Sequence, residues 1–386
     1  MTRCIIHIGM HRTGSTSIQH SLHGFGDNRF LYARLGDDPN HSLAMHSLFA
    51  PQPELHHLHR RKGADAATVS EYVGRMRADL EQAVSAAEDR TLIISGEDVN
   101  ALPRDGLVKL RDDFRKHFDD VTLVGYVRPP AGLMASTFQH RVTVGAVEGF
   151  DLARQYRSYK GTFGNFDEVF GRERVNLWKF DTGSFPHECA VRDFCTRLGI
   201  DLPPERIVRL NESLPRQLVA LLYTYRKVGP DGAATMTGQQ RQGLLDRLAA
   251  IGSDPFRLSP EVIRPILEKN RADIGWMEAR LGQTLHEDLG EHLPGDVRDE
   301  SDLLRPDPNV TGKLLALLGD TAPQGVKGGT PEEVAQLVYA LRETRAEQSR
   351  SLPSIRAYLG RKVTALLHYL LRHMQMAQAR GTKKRS

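Results

Sequence analysis

Short apolar runs rich in β-branched residues alternate along this chain with longer stretches of amphipathic spacing. The stretches at 3–8, 91–95, 121–127 and 174–180 are too short for helices and read as strands, with the β-branched run at 121–127 of the buried type. Between and beyond them the apolar positions recur at three- and four-residue steps. That spacing predicts helices near 15–24, 67–88, 106–117, 130–142, 187–198, 215–227, 240–250, 259–282 and 332–349. Strands alternating with helices imply an α/β fold, a mainly parallel sheet covered on both faces. Two stretches interrupt the pattern. Residues 25–66 form a long polar connection, a length that in compact domains often serves as a lid or binding segment. Residues 287–309, rich in Asp, Glu, Gly and Pro, read as a linker into a C-terminal helical tail. The expected organisation is one domain over 1–290, followed by a linker and helical extension over 291–386.

The most informative stretch joins the first strand to the first helix: Ile5-Ile6-His7-Ile8-Gly9-Met10-His11-Arg12-Thr13-Gly14-Ser15-Thr16-Ser17. An apolar strand enters a Gly-bounded loop, and a hydroxyl-rich segment opens a helix. Successive amides at a helix N-terminus, backed by the helix dipole, make a cradle for one phosphate. The spacing Gly9-x4-Gly14-x-Thr16 fits the P-loop except that Ser15 stands where the lysine belongs. The cation sits earlier, at Arg12, which argues against an ordinary NTPase. A strand-to-helix turn with no ligand is the bland alternative.

The strand Val121-Thr122-Leu123-Val124-Gly125-Tyr126-Val127 ends in Arg128-Pro129-Pro130, and Ser136 stands eight residues after the arginine. Pro130 can open a helix, because its missing N–H costs nothing in the first turn. Ser136 would then lie about two turns along it.

Together these two segments resemble the sulfotransferases that use 3′-phosphoadenosine 5′-phosphosulfate (PAPS), in their bacterial form. The first loop is similar to their 5′-phosphosulfate loop, with Arg12 in place of the usual lysine. Arg128 and Ser136 match their 3′-phosphate site position for position. Weaker counterparts cover 166–180, 192–200, 210–214 and 258–281, so that the likeness extends over about three quarters of the chain. The resemblance implies a P-loop-type parallel sheet with flanking helices, PAPS as sulfuryl donor and PAP as product. It implies Arg12, Thr13, Gly14, Ser15, Thr16 and Ser17 around the 5′-phosphate, with Arg128 and Ser136 on the 3′-phosphate. Transfer would go to an acceptor hydroxyl, on a carbohydrate or glycolipid, with no metal required. A P-loop nucleotide kinase or NTPase remains the alternative.

Sulfuryl transfer to a hydroxyl needs a group that accepts its proton. Glu97 comes just after the strand Thr91–Ser95, at the strand end where open α/β sheets bind ligands. Three readings of this stretch stay open. Glu97 is the base; or Ser95 and Asp98 form a capping box beside it; or the acid after the strand holds Mg²⁺. His41, His46, His56, His57 and His59, with Arg60, Arg61 and Lys62 after them, show no converging metal-ligand spacing. They read as a solvated basic loop, or as an acceptor-binding rim. His46 is the reserve base, His11 is a loop residue in reach of the nucleotide, and both are candidate acceptor-binding residues.

Composition narrows the class without changing the picture. With 386 residues, 40% of them hydrophobic, the chain can bury one large core and carry a smaller appendage. Three cysteines (Cys4, Cys189, Cys195) have no metal spacing and suit core positions. No apolar run approaches a membrane span, the N-terminus lacks a signal pattern, and a cytoplasmic enzyme with no nucleic-acid partner is expected. From Arg356 to Ser386 eight Lys/Arg and no acid give +8, against −4 for the rest. Leu359, Val363, Leu366, Leu367, Leu370 and Leu371 fall on one face of the helix predicted there. Such a basic helix packs on its own domain or on a second subunit of a homo-oligomer, or docks on an anionic membrane surface.

Overall fold

The computed structural model describes residues 2–210, 213–230 and 236–343. Five strands make one sheet: β1 (Arg3–His7), β2 (Phe30–Tyr32), β3 (Thr91–Ser95), β4 (Asp120–Val127) and β5 (Val175–Lys179). They run in the order β2-β3-β1-β4-β5, and every neighbouring pair is parallel. β1 is central, and its Ile6 lies opposite Ile94 of β3 and Leu123 of β4. The α/β expectation therefore holds.

Side chains alternate across the sheet and feed two cores, as the period of two requires. Cys4, Ile6, Ile94 and Leu123 face a cluster built with the helices Ser42–Phe49, Ala66–Ala87, Arg104–Phe114 and Tyr159–Phe170. Ile5, Ile93, Val124 and Tyr126 face the opposite side, against Ile18 and Leu22 of Ser15–Leu22 and Val191 and Phe194 of Ala190–Leu198. Burial on both faces explains why these strands read as continuous apolar runs. Each fully buried Ile or Leu contributes about 1.5–3 kcal/mol. A further core gathers around Arg216–Val228 and draws on Phe138, Leu244, Leu314 and Leu337. The helix Pro130–Val144, next after β4, therefore links the sheet to this third core.

Four expectations change. The connection 25–66 is not a bare loop: it contains β2 and the helices Ser42–Phe49 and His57–Arg61. β2 has only three residues, too few to show a period. The helix expected over 259–282 breaks at Asn270 into Pro260–Lys269 and Arg271–Leu281. The helix expected from 187 begins at Ala190, because His187 takes a left-handed φ of 52°. Within 287–309, Val297 is fully buried and bridges to Leu258, and Glu300–Leu304 is helical. Among the described residues no helix is long and apolar enough to cross a membrane. The basic amphipathic helix expected over 356–386 lies outside the described residues.

Candidate active site

The loop after β1 is tied down on three sides. Ile8 N–H donates to Val124 O at 2.9 Å, and Gly96 N–H donates to His7 O at 3.0 Å. His7 Nδ1 meets Ser95 Oγ at 2.8 Å, and the Thr13 hydroxyl donates to Met10 O at 2.5 Å. Gly14 caps the next helix with φ +79°, and a Cβ there would stand 2.9 Å from Cβ of Ala190. Only glycine satisfies both conditions. No side chain caps this N-terminus, so its first amides are donors without a capping oxygen. Ser15 Oγ is buried beneath the loop with no hydrogen-bond partner.

Arg12 has φ +68°, a left-handed conformation that costs an L-residue about 1–2 kcal/mol. Its surroundings hold it there. Arg128 Nη1 donates to the Arg12 carbonyl at 2.6 Å, and Arg12 Nε donates to Ser136 Oγ at 3.0 Å. Arg128 stands over the Phe180 ring at 5.4 Å from its centroid, and its own carbonyl accepts from the Tyr159 hydroxyl at 2.7 Å. Neither guanidinium makes an ion pair within 4.0 Å among the described residues. Burial and the neighbouring Arg12 charge push Arg128 down to about 10. Burial likewise lowers Arg12, with Glu97 opposing it. Two adjoining cations beside uncapped amides, with Glu97 and Glu287 acting on them only from beyond ion-pair distance, could hold an anion.

The amides that open Pro130–Val144 do not belong to that group. Glu287 accepts from Ala131 N–H at 2.6 Å and from Gly132 N–H at 2.9 Å, and so occupies the helix N-terminus. Burial raises the pKa of this carboxyl, while those two hydrogen bonds oppose the rise. The carboxylate comes from a segment more than 150 residues further along the chain, where sequence carried no signal for it.

Glu97 opens a short 3₁₀ turn, Glu97–Ala101, after β3. Gly96 permits the close approach of the Ser42–Phe49 helix start to this strand end: a Cβ on it would lie 2.7 Å from Ser42 N and 2.9 Å from Ser42 Cα. Glu97 accepts from Gln19 Nε2 at 2.8 Å, and burial raises its pKa. Its neighbour Asp98 is engaged differently. One oxygen meets His56 Nε2 at 3.1 Å, and the other lies 3.4 Å from His11 Nε2. Burial would raise the Asp98 pKa, but the His56 hydrogen bond and the nearby His11 hold it below the ordinary carboxylate value. The capping box is not formed. Gly96 is the N-cap without a side-chain hydrogen bond, and Ser95 instead meets His7.

The histidine stretch is not a solvated loop. His41, His56 and His59 are buried; His41 Nδ1 accepts from Ser95 N–H at 3.2 Å, and His59 meets Ser47 Oγ at 2.8 Å. His46 is half-buried, with its ring 4.7 Å from that of His56. Burial and the charge of His56 push it down to about 4. Sequence spacing shows no converging ligand set here. The fold supplies one by carrying Asp98 to His56 and His57, with one ligand atom of each within 4.8 Å of the others.

Arg12, Arg128 and Ser136 thus come together beside the helix start at Ser15, and Glu97 reaches that helix through Gln19. Ser17 turns away: its hydroxyl accepts from Leu210 N–H at 2.9 Å. The Thr13 hydroxyl is spent inside the loop, so of these two residues only the amides could serve a cradle. Thr16 is half-buried in the first turn of the helix. Sequence reasoning missed Gln19, Tyr159, Phe180 and Glu287. Gln19 alone carried a faint signal, as a polar residue on the buried face of the first helix.

No protein-family model matches the chain, and no curated protein does. Among solved structures the chain is similar to the sulfotransferase domain from the curacin biosynthetic pathway, at 14% identity and a TM-score of 0.32. The overlap covers 61% of this chain and 83% of that one. At that identity and score, the likeness carries no information about chemistry.

Proposed function

We propose that this protein is a sulfotransferase that takes a sulfuryl group from PAPS and passes it to an acceptor hydroxyl, on a carbohydrate or glycolipid. The observation that carries the reading is the hydrogen-bonded chain from Arg128 to Arg12 to Ser136, which joins the cradle after β1 to the arginine after β4. A nucleotide phosphorylated at both its 5′ and 3′ positions is the anion that uses both halves. The residues fit it in two further respects. Ser15 Oγ is a buried hydroxyl lacking a partner, and the two guanidinia have no carboxylate within ion-pair distance among the described residues.

PAPS would supply an activated sulfur joined through oxygen to a phosphate. Amides of 13–17 and the Arg12 guanidinium would hold the 5′ end, and Arg128 with Ser136 the 3′-phosphate. Glu97 would take the proton of the acceptor hydroxyl as its oxygen forms the bond to sulfur. Arg12 would stabilise the electron pair left on the departing oxygen as the sulfur–oxygen bond to the phosphate breaks in line. Donors aimed at developing charge are commonly the largest catalytic term, each worth about 3–4 kcal/mol. This chemistry needs no metal.

The kinase alternative is weakened by Asp98, whose two oxygens already face His56 and His11, and by Ser15 at the lysine position. The test is thermal unfolding with PAP and, separately, with ATP plus Mg²⁺. PAP alone should stabilise the fold by mass action, well beyond ATP–Mg²⁺. Equal shifts, or none with PAP, would refute the assignment.

A further inference from the structure

Beside the nucleotide cradle lies a second group of side chains that sulfuryl transfer does not use. His56 is buried at the N-cap of His57–Arg61, His57 is exposed as the first residue of that helix, and Asp98 lies in the turn after β3. One ligand atom from each falls within 4.8 Å of the others. The His56 and His57 rings lie 4.4 Å apart between centroids, both within reach of one carboxylate. Asp98 is also fixed from behind, where its N–H donates to Ser42 Oγ at 3.1 Å.

We propose that His56, His57 and Asp98 form a binding site for a divalent transition-metal ion of the zinc class, distinct from the nucleotide pocket and from the transfer step. Two imidazoles and one carboxylate are a borderline-soft donor set, which suits Zn²⁺, whereas Mg²⁺ and Ca²⁺ favour oxygen alone. Three protein ligands leave the fourth tetrahedral position to water, and exposed His57 opens the site to solvent. His11 Nε2, 3.4 Å from the second Asp98 oxygen, stands as an outer partner that orients the carboxylate. Further out, His46 Nδ1 is buried with no hydrogen-bond partner.

Two adjustments accompany binding. Zinc–nitrogen bonds of about 2.0–2.1 Å draw the three donors closer than they now lie, a movement open to the exposed His57 side chain. Ligation through His56 Nε2 replaces its hydrogen bond to Asp98 and puts the ring proton on Nδ1. That displaces the long 3.3 Å contact from Leu58 N–H. The filled site would fasten the 56–61 segment to the turn that carries Glu97.

The experiment is calorimetric titration of the full, chelator-stripped chain with Zn²⁺, and separately with Mg²⁺. One saturable zinc site and no magnesium binding are expected. His57→Ala removes a ligand from the surface, so its fold should survive. It should weaken zinc by more than the roughly 10–100-fold that outer-shell changes cost. Asp98→Asn should abolish the site, and His117→Gln, at a remote exposed histidine, should leave it intact. PAP-induced stabilisation, measured on the same samples, reports on the nucleotide pocket independently. No saturable zinc binding, wild-type affinity in His57→Ala, or equal binding of Mg²⁺ would each overturn the proposal.

Discussion

Arg128→Ala tests how the two halves of the pocket are coupled. The side chain has two roles: it presents charge to an anion, and it holds the Arg12 carbonyl at 2.6 Å. The second role is the unusual one, since it supports a residue kept at φ +68°. A hydrogen bond from a charged donor contributes about 1.5–3 kcal/mol. The contact over Phe180 adds about 0.5–2 kcal/mol. Against both stands the cost of burying the guanidinium, visible in its lowered pKa. The apo fold should therefore lose a net of about 1–3 kcal/mol, read by urea denaturation. Losing a charged contact of about 1.5–3 kcal/mol should also weaken PAP by about 10–150-fold in calorimetry. A residue that only bound nucleotide would raise KM and spare kcat. Here Arg12 is freed to leave the left-handed region and swing away from Ser136, so kcat should fall as well. An Arg128→Ala protein with wild-type apo stability and PAP affinity within twofold would refute the coupling.

Glu97→Gln keeps the shape and can still accept from Gln19, so PAP affinity should hold while turnover falls about 10²–10⁴-fold, or about 2.7–5.5 kcal/mol. Near-normal turnover would remove Glu97 from the chemistry. Because burial raises the Glu97 pKa, the folded state holds that proton more tightly than the unfolded chain. Wild-type stability from this group is therefore present below the unfolded value of about 4.3 and is lost as pH rises through the folded value. The glutamine variant should lack that decline, and a parallel loss in both proteins across a pH series of urea melts would contradict it. Gly96→Ala drives a Cβ to 2.7 Å from the backbone of Ser42, so the fold should lose about 1–3 kcal/mol and the turn carrying Glu97 and Asp98 should shift. Wild-type stability in that variant would show that the contact yields.

Some of this protein was legible in the order of its residues because the relevant physics is local. Three of the five strands, β1, β3 and β4, are runs rich in β-branched residues and buried on both faces, a state that writes itself into consecutive positions. The loop from Gly9 to Gly14 and the arginine closing β4 each lie within one strand-to-helix turn, where chain geometry alone aims the backbone. That local geometry is enough to give the fold class and the two halves of the anion pocket. Joining the halves depended on the parallel pairing of β1 with β4, which sets Arg12, Arg128 and Ser136 side by side across more than a hundred residues. Glu287 on the helix N-terminus and Gln19 on Glu97 are likewise products of packing. The histidines show the divide most plainly. As a sequence they form an exposed, basic, polar run. The tertiary structure buries three of them and brings Asp98 from some forty residues away to His56 and His57. Desolvation and convergence are properties of a folded surface, and no spacing along the chain encodes them.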